Sequence, residues 1–138
     1  MSDKSNMLHE ELMDIIMDHY ENPRNSGKIE NPDVEFHGGN PGCGDTIELQ
    51  LKISDEGIVK DIKFEIEGCI VSSAGTSMIS EKIINKSIDD IKNIGRDDMR
   101  ELLGKDIIIR RPQCSNLGID TIKTAIRKYE KEKMASEI

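Results

Sequence analysis

The sequence predicts an α+β fold, a three-stranded antiparallel sheet packed against helices with a long C-terminal helix, and three patterns in the 138-residue chain carry the prediction. Ile47, Leu49, Leu51 and Ile53 alternate with Thr46, Glu48, Gln50 and Lys52, the period-two signature of a strand with one buried face. Asp55-Glu56-Gly57 turns the chain, and Ile58, Ile62, Phe64 and Ile66 resume the alternation, so a hairpin follows. Helical spacing flanks the strands, at Leu8, Leu12, Ile15 and Ile16 before them and at Gly118, Ile122, Ala125, Ile126 and Tyr129 after them.

The first helix stops at Asn22-Pro23, because a proline pushes the residue before it out of the helical region. His9 and His19 share a face of that helix, and the plainer reading of each is a surface or packing histidine rather than a ligand. Residues 24–32 form a turn-rich connector. Val34 and Phe36, alternating with Asp33, Glu35 and His37, suggest a short strand that leads into a glycine loop. After Cys69 a run of small hydroxyl residues, Ser72-Ser73-Ala74-Gly75-Thr76-Ser77, opens a helix expected over 71–85. The small residues fit either a close backbone approach to a site or tight packing of the helix on the sheet. Ser87, with Asp90 three residues on, resembles a capping box opening a short helix to about Ile94. Asp97 to Leu103 reads as another short helix closed by Gly104. Ile107-Ile108-Ile109 is too short to classify, Pro112 breaks it, and the long helix is expected to begin at Cys114. Residues 1–7 and 135–138 are expected as flexible tails around a single domain over 8–134.

Charge narrows the function classes. With 27 acidic against 19 basic residues the formal charge is -8, which repels nucleic-acid phosphates at long range. Trp is absent and aromatics make up 3%, so base-stacking platforms are missing as well. No apolar run approaches membrane-spanning length and the N-terminus lacks the basic-then-apolar pattern of a secretion signal, so the expected location is cytoplasmic. Three cysteines cannot close a disulfide framework, which leaves metal binding, reactivity or core packing for them.

Their positions favour chemistry. Gly38-Gly39-Asn40-Pro41-Gly42-Cys43-Gly44-Asp45 holds four glycines and a proline, shows neither helical nor strand periodicity, and presents one soft ligand, Cys43, and one hard ligand, Asp45. Cys43 lies before one strand of the hairpin and Cys69 just after its partner, so antiparallel pairing brings both to one end of the sheet. Cys69 and Cys114 each stand where a helix is expected to begin, and the positive end of a helix dipole favours thiolate over thiol. Arg110 and Arg111 add positive charge next to Cys114, making it the best candidate for a reactive, sulfur-accepting thiolate. Three thiolates and Asp45 would make a four-ligand site for zinc or for an iron-sulfur cluster. The separations between the cysteines are far longer than compact zinc-finger spacings, so the fold itself has to assemble such a site.

The sequence resembles the iron-sulfur cluster assembly scaffold family, the IscU, SufU and NifU N-terminal type. The matching stretches are Asp18-His19-Tyr20-Glu21-Asn22-Pro23-Arg24-Asn25, Pro41-Gly42-Cys43-Gly44-Asp45, Gly68-Cys69 with the serine-rich run after it, and Cys114-Ser115 leading into Ile122-Lys123-Thr124-Ala125-Ile126. They occur in the same order from about residue 8 to 130. The resemblance implies that Cys43, Cys69 and Cys114 receive sulfur from a cysteine desulfurase and hold a nascent cluster, expected as [2Fe-2S]. It also implies that Asp45 modulates release to acceptor apoproteins. A homo-oligomer is compatible with it.

Two departures qualify what carries over. The IscU branch has a histidine where this chain has Gln113, a poor iron ligand. That branch also carries a Leu-Pro-Pro-Val-Lys motif read by a dedicated Hsp70 chaperone, whereas this chain has Lys105-Asp106-Ile107-Ile108-Ile109-Arg110-Arg111, so that partner does not carry over. The leading expectation is therefore a scaffold or carrier rather than an enzyme. The alternatives are a zinc-dependent sulfurtransferase, with zinc held by Cys43, Asp45, Cys69 and Cys114, and a structural zinc domain.

Overall fold

Leu12, Ile16 and His19 turn inward from α1 (His9–Glu21), as the apolar spacing predicts. The computed structural model describes residues 9–40 and 44–136, so Leu8 and the expected N-terminal tail lie outside the described residues. Beyond Asn22 the connector does more than turn. Phe64 donates its N–H to Asn25 O at 3.0 Å and accepts from Gly27 N at 3.0 Å, so residues 25–27 run along the outer edge of the last strand.

The sheet is an antiparallel meander, β1 (Val34–Asn40), β2 (Asp45–Ile53) and β3 (Val59–Glu67), in the order β1-β2-β3. Val34, Ile47, Leu49, Leu51, Ile53, Ile62 and Phe64 are buried on one face, as the alternation requires. Ile58 departs from expectation. The register passes from Lys52↔Asp61 to Ile53↔Val59, which leaves Lys60 as an extra residue in a β-bulge. Every position before the bulge changes face, so Val59 is fully buried and Ile58 only half-buried.

Past the sheet, α2 (Ile70–Ile83) is buried from Ser72 to Ser80 on all sides, between α1 and α6. A helix this enclosed is tolerable because its hydroxyls find acceptors in their own turn: Thr76 Oγ1 donates to Ser72 O at 2.8 Å and Ser80 Oγ to Ser77 O at 2.7 Å. Ser77 Oγ binds α1 to the connector, with His19 Nδ1 at 2.8 Å and the Arg24 N–H at 2.8 Å. His19 is thus a packing histidine. α3 (Ile88–Lys92) is capped by Ser87, which accepts from Asp90 N at 3.1 Å. α4 (Arg96–Leu103) ends at Gly104, whose N–H reaches Arg100 O at 2.8 Å.

The segment left unclassified is helical. Lys105–Arg110 forms α5, with none of its residues fully buried. Pro112 does not simply break the chain but opens α6 (Pro112–Ser136), the position where a missing N–H costs nothing and the fixed φ suits a helix. The helix extends to Ser136, into the stretch expected as a tail. It lies across β1 and β2, and no helix among the described residues is long and apolar enough to cross a membrane.

The small residues of α2 pack mainly on a helix rather than on the sheet. A Cβ built on Gly118 would lie 2.6 Å from Thr76 Oγ1 and 2.9 Å from Thr76 Cα, so α2 and α6 touch backbone to backbone. Gly118→Ala gains helix propensity of about 1 kcal/mol but forces that contact apart. Overpacking of this kind costs about 1–3 kcal/mol and here meets main chain, so the variant should unfold at lower denaturant; an unchanged or raised midpoint in urea would contradict the contact.

Candidate metal centre

Asp45 opens β2 in the same inward-facing row as Ile47, Leu49 and Leu51, and it is 5% exposed. A carboxylate in a row of aliphatic side chains is unfavourable unless something satisfies it. The stretch expected as a loop is shorter than the glycines suggest. β1 continues through Gly38, Gly39 and Asn40, which pair with Ile47, Thr46 and Asp45, so only residues 41–44 connect the strands. Cys43 lies outside the described residues.

Pairing of Thr46 with Glu67 carries the end of β3 alongside Asp45. The next residue, Gly68, leaves a gap that the site fills: an added Cβ would lie 2.8 Å from Asp45 Cγ and 2.6 Å from Ser72 Oγ. Cys69 is the N-cap of α2, with extended backbone at φ -77° and ψ 170°, and its Sγ accepts from Ser72 N at 3.4 Å. This is the place of a capping side chain, taken by sulfur. Burial pushes the Cys69 thiol up. Hydrogen bonds from the Ser72 N–H and hydroxyl, from Cys114 and from the Val71 N–H outweigh burial and hold it below the usual thiol range.

Cys114 comes from the third residue of α6 and is 5% exposed. Its setting is more enclosed than a helix beginning at Cys114 would give, because the helix starts at Pro112 and the exposed Arg110 and Arg111 belong to the end of α5 and the linking residue. Asp45, Cys69 and Cys114 converge, with one ligand atom from each lying within 4.8 Å of the others. Ligands around one tetrahedral ion stand about 3.4–3.8 Å apart when metal-sulfur bonds are about 2.3 Å and metal-oxygen bonds about 2.0–2.2 Å. The 4.8 Å limit on the three separations exceeds that spacing by about 1 Å, so the side chains are within reach of one ion and would close on it. Two thiols and a carboxylate make a donor set that zinc and iron both accept, and the first turn of α2 favours the anionic form of Cys69.

Gln113, which replaces a histidine of the IscU branch, is exposed and lines the groove between β1 and α6 with Gly38, Gly39 and Thr121. Sequence reasoning missed the roles of Gly68 and Ser72. The signal was present in the Cys-x-x-Ser spacing at a helix start, which is that of an N-cap residue and its N3 partner.

Residues 11–136 match the family model of the NifU-like N-terminal domain. The chain is 38% identical over 123 residues to the iron-sulfur cluster assembly scaffold protein IscU of Escherichia coli, covering 87% of this chain and 94% of that one. It is 40% identical over 116 residues to an IscU scaffold protein of Archaeoglobus fulgidus, covering 84% and 74% of the two. Among solved structures, a candidate iron-sulfur cluster assembly scaffold of the SUF system from Fervidobacterium islandicum superposes with a TM-score of 0.67 at 29% identity, over 81% of this chain and 93% of that one. A NifU-like N-terminal domain from Brucella abortus, at 22% identity and a TM-score of 0.72 over 87% and 98% of the two chains, shares the fold.

The environments of the two described cysteines order their reactivity. In metal-free, reduced protein Cys69, half-buried and with its thiol lowered, should alkylate with iodoacetamide well before Cys114, and its rate should reach half-maximum below about pH 8.5, the value of a free cysteine. Peptide mapping against time checks this. Cys114 labelled first, or a Cys69 midpoint above the free value, would contradict the assigned hydrogen bonds.

Proposed function

The chain belongs to the family of NifU-like N-terminal domains, and from that premise we propose that it is a scaffold on which an iron-sulfur cluster is built and then handed to acceptor apoproteins. The observation that carries this reading is the convergence of Asp45, Cys69 and Cys114 at one end of the sheet. Cys43, two residues before Asp45 in the sequence, is the fourth ligand in the proposal. The cluster is cargo, expected as [2Fe-2S], and the protein is a carrier rather than a catalyst. Iron enters as the ion, and sulfur comes from a cysteine desulfurase. Cys114 is the proposed sulfur acceptor: its thiolate attacks the outer sulfur of the donor's persulfide, the donor's sulfur-sulfur bond breaks, and the donor leaves as thiolate; release of that sulfur into the cluster as sulfide then takes two electrons from an external thiol reductant, which leaves as disulfide, and returns Cys114 as thiolate. A cytoplasmic setting, where thiols remain reduced, suits two cysteine thiols held this close outside any disulfide.

Asp45 gives the site its exit. A carboxylate bonds iron less covalently than a thiolate does and can be protonated or displaced by an incoming thiol, so one of four grips can open without breaking the others. Its burial keeps bulk water from doing this indiscriminately.

One observation favours a second reading. The closeness of the three ligand atoms suits a single tetrahedral ion, as in a zinc-dependent sulfurtransferase in which the metal orders the site and Cys114 accepts sulfur. Anaerobic reconstitution with iron, cysteine and a desulfurase, followed by absorption and Mössbauer spectra, separates the two. The scaffold reading expects a cluster whose formation is abolished in Cys114→Ser; persulfide without cluster supports the second reading.

The role of Asp45 has its own test. Asp45→Ala should yield a cluster that survives longer in air and passes more slowly to an apo-ferredoxin. The transfer half-time should be compared with the melting temperature of the same variant. A lower melting temperature with unchanged transfer would show that the carboxylate only supports the turn.

A further inference from the structure

Ser72 is fully buried, and three of its contacts are with one residue. Its N–H points at Cys69 Sγ from 3.4 Å, its hydroxyl lies 3.1 Å from Cys69 O, and the same hydroxyl lies 3.6 Å from Cys69 Sγ. Other hydroxyls along α2 behave differently: Thr76 and Ser80 donate to a carbonyl of their own helix at 2.8 and 2.7 Å. The longer bond of Ser72 reflects a hydroxyl placed between two acceptors, carbonyl and sulfur, with one proton to give. Such a rotor serves a ligand that alternates between a free and a loaded state. Its proton can go to sulfur, free or metal-bound, with the carbonyl as the second acceptor, so a buried donor is never left without one.

Gly68 makes the arrangement sterically feasible. Because a Cβ there would meet Ser72 Oγ at 2.6 Å and Asp45 Cγ at 2.8 Å, the hydroxyl and the carboxylate share the space above a residue with no side chain. We propose that Ser72 is the positioning residue of the centre: its hydroxyl and N–H hold Cys69 Sγ in the rotamer that faces Asp45 and Cys114, with Gly68 supplying the room. The proposal rests on the reading of Cys69 as a ligand.

Cobalt(II), a visible stand-in for zinc, tests both separately. Titrated without oxygen and competed with a chelator, the wild-type protein should show thiolate-to-cobalt charge transfer. Ser72→Ala should bind about tenfold more weakly or worse, the usual cost of losing an outer-shell partner, with a shifted band, and Ser72→Thr should recover most of the loss. Gly68→Ala should lose more than Ser72→Ala, since it displaces the carboxylate as well. In the metal-free protein, NMR three-bond couplings should report one χ1 rotamer for Cys69 in wild type and an average in Ser72→Ala, and this decides alone if Ser72→Thr does not fold. Unchanged affinity, spectrum and couplings in Ser72→Ala would overturn the proposal. Wild-type protein without a charge-transfer band would overturn the ligand reading and the proposal with it.

Discussion

Thr76 against Gly118 and Ser72 against Gly68 express one constraint: α2 must lie with no side-chain volume between it and its neighbours. The helix is enclosed from Ser72 to Ser80, and its first part, Ser72 to Ser77, is made only of serine, alanine, glycine and threonine. Its closeness to α6 brings the first turn of one helix, capped by Cys69, beside the first turn of the other, which holds Cys114. The sheet register then adds Asp45 from the end of β2. A larger residue in either contact would separate the helices, and with them the ligands, by the width of a side chain.

The same closeness sets the electrostatics. Bringing a carboxylate and two thiols together under little solvent is unfavourable while no cation is present, because desolvation and mutual repulsion both act against charge. The molecule moderates that cost with backbone: the first turn of α2, and its N–H donors at Val71 and Ser72 that act on Cys69.

Much of this was legible in the sequence, because it follows from local periodicity. The alternation in β2 and β3 fixed which end of the sheet receives Asp45 and Cys69, and the Asn22-Pro23 stop of α1 held. What could not be read depends on contacts between distant residues. The bulge at Lys60 exchanged Ile58 for Val59 in the core, three consecutive isoleucines became helical only in the context of α4 and α6, and Gly38 to Asn40 joined a strand because β2 was there to pair with. At the site, the motif resemblance pointed to Asp45, Cys69 and Cys114, which the fold brings together, whereas the difference between a half-buried Cys69 and an enclosed Cys114 came from the starting point of α6. The need for Gly68 is likewise a matter of packing between β2 and α2, which no local pattern encodes.

Whether Asp45 and the cysteines bind one metal ion together is open to direct measurement. X-ray absorption at the zinc edge, on protein loaded with one equivalent of zinc without oxygen, measures this directly. A shared centre should show about three sulfur neighbours near 2.3 Å and one lighter neighbour at about 2.0–2.2 Å, with one sulfur lost in Cys69→Ser. A first shell made only of oxygen or nitrogen, or one unaltered in Cys69→Ser, would contradict it.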